Sequence, residues 1–139
     1  MIGAYVPMMI SDKPASLKIL LLEDNADLAR MLRQILEWRG YEVVVGASGE
    51  EGLEALEHAS TPPDLILCDL IMPDMDGHEF MRHVRQHYQW SSIPLVIMSA
   101  SVAPEDQATV LKEGANGFLG KPFGISELDE LIAEVGLSS

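Results

Sequence analysis

Apolar residues gather in five short runs along the chain: LKILLLED, EVVVG, DLILCD, IPLVIMS and NGFLGKP. Several runs are continuous rather than alternating, the pattern of strands covered on both faces. They predict strands over residues 18–22, 42–45, 65–68, 95–98 and 117–119. Between the runs the period becomes helical. Leu28, Met31, Leu32, Ile35 and Leu36 recur at helical spacing, with Gly40 as a stop. Ser48-Gly49-Glu50-Glu51 reads as a capping box that opens a second helix through Leu53 and Leu56. Asp76-Gly77 precedes a third, with Phe80, Met81 and Val84 on one face. Pro104 suits the first turn of a fourth, which stops near Gly114. Leu128, Leu131, Ile132 and Val135 form the stripe of a fifth.

This alternation predicts an α/β fold: a five-stranded parallel sheet with helices on both faces and right-handed crossovers. A flavodoxin-like strand order, 2-1-3-4-5, suits the count and puts strands 1 and 3 side by side at the switch point. No repeat or second domain interrupts the pattern. Residues 1–16 read as an N-terminal extension and residues 17–139 as one domain.

A chain of 139 residues can bury its core without disulfides or a structural metal. A formal charge of −13 argues against a nucleic-acid surface, which needs clustered Lys and Arg. The single Cys68 lies within an apolar run and reads as a buried, reduced thiol, so a cytoplasmic compartment is expected. No apolar stretch approaches the about 18 residues of a membrane span. The opening MIGAYVPMMI lacks the basic start and cleavage site of a signal peptide. Met8, Met9 and Ile10 either pack on a surface groove or belong to a tail outside the fold.

In a parallel sheet, residues at the C-terminal strand ends converge on one rim. Here those positions carry Glu23-Asp24, Asp69, Ser99 and Lys121, with Pro122 behind the lysine. Clustered carboxylates repel one another unless a cation neutralises them. Their oxygen ligands favour Mg²⁺, which readily bridges to a phosphoryl group. Asp69 would then act as a nucleophile toward a phosphorus donor and form an acyl phosphate. Lys121 supplies a point charge for one phosphoryl oxygen and Ser99 a hydroxyl for another. Backbone N–H groups just after strand 4, at Ala100, add further donors.

Each residue taken singly has a plainer reading. Glu23-Asp24 suits a solvated helix N-terminus, Ser99 a turn, Lys121 the surface. Their common register at the strand ends favours the site. Asp74-Met75-Asp76-Gly77 fits no calcium loop, since the first and last positions of that template fall on Met72 and His83. His58, His78, His83 and His87 read as solvated.

The segments LLLEDNADLARMLRQIL, DLILCDLIMPDMDGHEF, IPLVIMSA and GANGFLGKPF resemble the receiver domain of two-component response regulators. The resemblance covers nearly all of residues 17–136. It implies Asp69 as phosphoacceptor and Glu23, Asp24, Asp69 and the backbone carbonyl of Ile71 as an Mg²⁺ site. It implies Ser99 as switch hydroxyl, Phe118 as switch aromatic, Lys121 as phosphate-binding lysine, and a cis bond between Lys121 and Pro122. Two positions depart from the pattern. Phe118 stands where many relatives have Tyr and should prefer burial in every state. Ile71 is bulky and apolar where relatives are often polar, and should hinder water near an acyl phosphate unless Ser101 positions it instead.

The resemblance implies a phosphorylation-controlled signalling module that catalyses at most its own phosphorylation and dephosphorylation. Its donor would be a histidine kinase or a histidine phosphotransfer protein. Output is expected through the fourth helix, fifth strand and fifth helix, residues 102–114 and 117–136, onto a protein partner, with no nucleic acid and no membrane. The fifth helix carries Glu127, Asp129, Glu130 and Glu134 without Lys or Arg, which suits a basic partner better than a salt-bridged dimer. The alternative is a phosphatase or phosphotransferase with an aspartyl-phosphate intermediate. Such an enzyme wants a second acid where Ile71 stands. A module that binds partners without phosphorylation would not need the full acidic set. Both a single-domain regulator and part of a larger protein fit a chain that ends at Ser139.

Overall fold

The computed structural model describes residues 17–101 and 103–135. The chain runs β1 (Lys18–Leu22), α1 (Ala26–Trp38), β2 (Glu42–Gly46), α2 (Gly49–His58), β3 (Leu65–Asp69), α3 (Gly77–Gln86), β4 (Leu95–Ser99), α4 (Pro104–Glu113), β5 (Gly117–Gly120) and α5 (Ile125–Glu134). The strands form one parallel sheet in the order β2-β1-β3-β4-β5, as expected. The expected extension over residues 1–16, with Met8, Met9 and Ile10, lies outside the described residues. So do Val102 and residues 136–139, at the ends of the expected output surface.

Strand alternation divides the core into two layers. Leu20, Leu22, Ile66, Cys68, Leu95 and Ile97 pack with Leu56, Phe80, Val84 and Val110 of α2, α3 and α4. Ile19, Leu21, Leu65, Leu67, Val96, Met98 and Leu119 pack with Leu32 and Leu36 of α1 and Leu128 and Ile132 of α5. Each fully buried Leu or Ile side chain stabilises by roughly 1.5–3 kcal/mol. The alternation also aims the site. Glu23, Asp69 and Lys121 continue the parity of Leu21, Leu67 and Leu119, toward α1 and α5. Ser99 continues that of Ile97, toward α4.

Four strands run one residue further than the apolar pattern predicts, to Gly46, Asp69, Ser99 and Gly120. A reading of hydrophobicity stops at a polar side chain or a glycine, but the backbone ladder does not. Asp69 pairs with Met98 and Ser99 with Gly120 in register. Asp69 and Ser99 are therefore the last residues of strands, held by the sheet itself.

The helix ends follow their caps. Asn25 accepts from Leu28 N–H and Asp76 from Glu79 N–H. Ser48 Oγ accepts from Glu51 N–H at 3.1 Å, but Glu51 Oε1 takes its bond from Ala47 N–H rather than from Ser48. Met31, assigned by spacing to the stripe of α1, stays half exposed, and Ala29 is buried in its place. Helix α4 is the least embedded: its one buried residue is Val110, and its N-cap Ala103 makes no side-chain cap.

Candidate functional site

Glu23 lies just past β1, pinned by its N–H to Gly46 O at 3.1 Å. The residue is only 2% exposed. It accepts from Asn25 N–H at 3.1 Å and from Lys121 Nζ at 2.7 Å. Asp69 at the end of β3 is likewise buried, with Oδ2 at 3.2 Å from Lys121 Nζ. Asp24 is exposed beside them. One carboxylate oxygen from each of Glu23, Asp24 and Asp69 falls within a 4.8 Å cluster. Lys121 N–H donates to Ser99 O at 2.7 Å, which places the lysine beside the end of β4, and its bond to Pro122 is cis.

The loop after β3 bends close over Asp69. Gly77 N–H reaches Leu70 O at 2.8 Å, and a Cβ on Gly77 would stand 2.8 Å from the Asp69 carbonyl oxygen. Only a glycine fits there. Ile71 in this loop is 73% exposed. Ser99 is buried, and its Oγ accepts from Ser101 N–H at 3.1 Å. Ala100 follows it, exposed. Phe118 is half buried against the core layer that holds α4. Among the described residues Trp38 ends α1 and Trp90 lies in the turn after α3, both at the opposite end of the sheet from Asp69.

The charges explain one another. Burial and the Glu23 charge push the Asp69 carboxyl up to about 6, against the pull of Lys121. Burial works against the Lys121 ammonium, but its hydrogen bond to Glu23 and the Asp69 charge raise it above its ordinary range. Burial and the neighbouring acids push the Cys68 thiol far up, so it stays protonated, donating to Asp69 O at 3.3 Å. The donor set fits a hard divalent cation: three carboxylates, oxygen ligands alone, two of them buried with one lysine to balance them.

The sequence matches the response regulator receiver domain over residues 19–133. The chain belongs to the response regulator receiver family. It is 43% identical over 110 residues to the KDP operon transcriptional regulatory protein KdpE of Escherichia coli, covering 79% of this chain and 47% of that protein. It is 35% identical to the sensor histidine kinase TmoS of Ectopseudomonas mendocina over 91% of this chain and 12% of that one. The receiver thus spans about half the length of the regulators it matches and a small part of a kinase. Vibrio cholerae CheY4 shares its fold with a TM-score of 0.81 and 32% identity, over 87% of this chain and 99% of the other. The receiver domain of the Pseudomonas aeruginosa sensor histidine kinase PA1611, with a magnesium ion coordinated in its active-site cleft, matches with a TM-score of 0.77 and 30% identity. That match covers 88% of this chain and 99% of the other. Receivers are phosphoryl-accepting signalling modules, and this family does not favour the hydrolase alternative. No described helix is long and apolar enough to cross a membrane.

Three features had no signal in the sequence. The resting partner of Lys121 is Glu23, 98 positions away. Arg85 donates to Gly114 O, Ser91 O, Ile93 O and Asn116 Oδ1. Arg39, the C-cap of α1, pairs with Asp129 at 2.7 Å, so the α5 acids are partly balanced from outside that helix.

Proposed function

We propose that Asp69 is the phosphoacceptor of this receiver and that Glu23, Asp24, Asp69 and the backbone carbonyl of Ile71 hold Mg²⁺. The observation that carries this is the clustering of three carboxylates, two of them paired with Lys121, at the end of a central, fully buried strand. When bound, the cation supplies charge neutralisation between the acids and an incoming phosphoryl group. Asp69, fixed by the sheet, presents a carboxylate oxygen to the phosphorus of a phosphohistidine. The phosphorus–nitrogen bond breaks as the oxygen–phosphorus bond forms, and the imidazole takes up a proton. Lys121 exchanges its carboxylate partners for a phosphoryl oxygen. Ser99 donates its hydroxyl to another, with Ala100 N–H beside it.

In this reading the donor is a histidine kinase or histidine phosphotransfer protein, and the receiver domain is assigned to residues 17–139, acting in the cytoplasm. It catalyses nothing beyond its own phosphorylation and dephosphorylation. Output passes through α4, β5 and α5 to a protein partner without nucleic acid, with Phe118 repacking as the switch aromatic. The half-buried setting of Phe118, which has no hydroxyl to bring out to water, supports a small repacking rather than a large swing.

Incubation with acetyl phosphate tests the reading. One phosphoryl group should be added in Mg²⁺, none in chelator, and none in Asp69→Asn. Labelling of Asp69→Asn as strong as the parent would overturn the assignment.

A further inference from the structure

Strand β2, at one edge of the sheet, is covered on one face and open on the other. Val43 is buried in the layer that holds α1. Val44 faces the other way, toward α2, and pairs in register with Leu20 of β1. Leu20 is 2% exposed and Val44 54%. The path of α2 explains the difference. At Gly46, the last residue of β2, a Cβ would stand 3.4 Å from Glu51 Cβ in the first turn of α2. Nearer the start of the strand that cover is gone. A groove of about 350 Å³ opens there, with Leu20, Val44, Ala55, Leu56, Ala59 and Pro63 in its walls. Among the described residues β2 pairs with β1 alone, so its outer edge is open too. Proteins commonly cover such an edge with a helix or a loop.

The chain itself arrives at this groove. Leu17 O accepts from Glu42 N–H at 2.8 Å at the start of β2, and Lys18 lines the groove. Residues 1–16 precede that point and lie outside the described residues. Their composition falls into two parts. MIGAYVPMMI carries no charged side chain, and SDKPAS is a polar spacer. The spacer can reach about 20 Å when extended, against about 17 Å for the length of β2. We propose that Met8, Met9 and Ile10 fold back into this groove and cover Val44, closing the α2 face at the edge of the sheet.

The tether favours this occupant over a second copy of the chain. A short flexible linker gives its own segment an effective concentration in the mM range. Each copy also carries a formal charge of −13, which sets copies against one another, whereas the opening segment is uncharged. Methionine suits the groove, since its unbranched thioether adapts to an irregular wall. A second apolar cavity, walled by Leu28, Met31 and Ile125, opens beside Lys121 on the other face of the sheet, away from Leu17.

Paramagnetic broadening in the full chain tests this. A nitroxide is attached through Val6→Cys, which leaves the three anchors in place; Cys68 is buried and stays unlabelled. The amides of Val44, Ala55 and Ala59 should lose intensity, and those of Leu28 and Ile125 should keep theirs. The loss should persist when the labelled chain is diluted with unenriched copies. Val44→Glu, at a half-exposed edge position, should restore the intensity at Ala55 and Ala59. So should the combined change Met8→Ser, Met9→Ser and Ile10→Ser, which alters no described residue and so leaves the groove intact. Loss around Leu28 and Ile125 instead, loss that fades on dilution, no loss at all, or loss that survives either set of changes would overturn the proposal.

Discussion

Replacing Asp69 with Asn should stabilise the metal-free protein, and by an amount that depends on pH. The Asp69 carboxyl titrates at about 6 in the folded chain, against 3.8 for the free group. A gap of this size corresponds to about 3 kcal/mol of unfavourable charge at full ionisation. The sign is set by which state binds the proton more tightly. Here the folded state does, so the penalty is absent at low pH, grows between about 4 and 6, and is complete above that. Asn keeps the shape and a polar contact for Lys121 but has no charge to set against Glu23. The variant should match the parent near pH 4 and exceed it by about 3 kcal/mol near pH 7, the pull of Lys121 being already part of the shift. Urea unfolding in chelator, followed by circular dichroism across that range, reads the difference. Adding Mg²⁺ should narrow it, because the cation stabilises the parent by mass action and the variant much less. A variant no more stable than the parent at neutral pH would refute the reasoning. So would a gain of equal size at pH 4, which would point to packing rather than charge.

Lys121→Ala should tighten Mg²⁺ binding or leave it unchanged, since the ammonium competes for Glu23 and Asp69, while weakening the response to a phosphoryl mimic; calorimetric titration and amide shifts separate the two. A large loss of Mg²⁺ affinity would contradict the placement of that ammonium. Ile71→Asn should speed loss of the phosphoryl group severalfold by giving water a hydrogen-bond partner at the exposed loop, as followed by decay of the labelled protein. Equal decay would shift attention to Ser101. Glu127, Glu130 and Glu134 leave α5 acidic even with Asp129 paired to Arg39, so partner binding should weaken as salt rises, and sedimentation should show no tight homodimer through this face.

The fold was legible because β1, β3 and β4 are buried on both faces and therefore read as unbroken apolar runs. The location of the site was legible for the same reason. A polar residue ending such a run can point only to the rim, so Glu23, Asp69, Ser99 and Lys121 stood out together. What escaped were bonds with no periodic signature. Arg85 looks like any exposed helical arginine until the chain brings Gly114 and Asn116 beneath it. The bond from Ser101 to Asp106 spans a turn whose shape the residue types alone do not determine. Met31 kept the spacing of a core position, yet α1 buries a narrower stripe than its apolar pattern offers.

The lone thiol, Cys68, sits directly before Asp69 in the central strand, fully enclosed and bonded to the carbonyl of its neighbour. A reagent cannot reach it while β3 is paired on both sides. Alkylation of this chain is therefore a clock on the opening of the very strand that carries the proposed acceptor. With one cysteine in the sequence, the clock has a single hand. Its rate, measured with and without Mg²⁺, would report whether a cation held at the proposed site slows the opening of that strand, with no dye, isotope or engineered label.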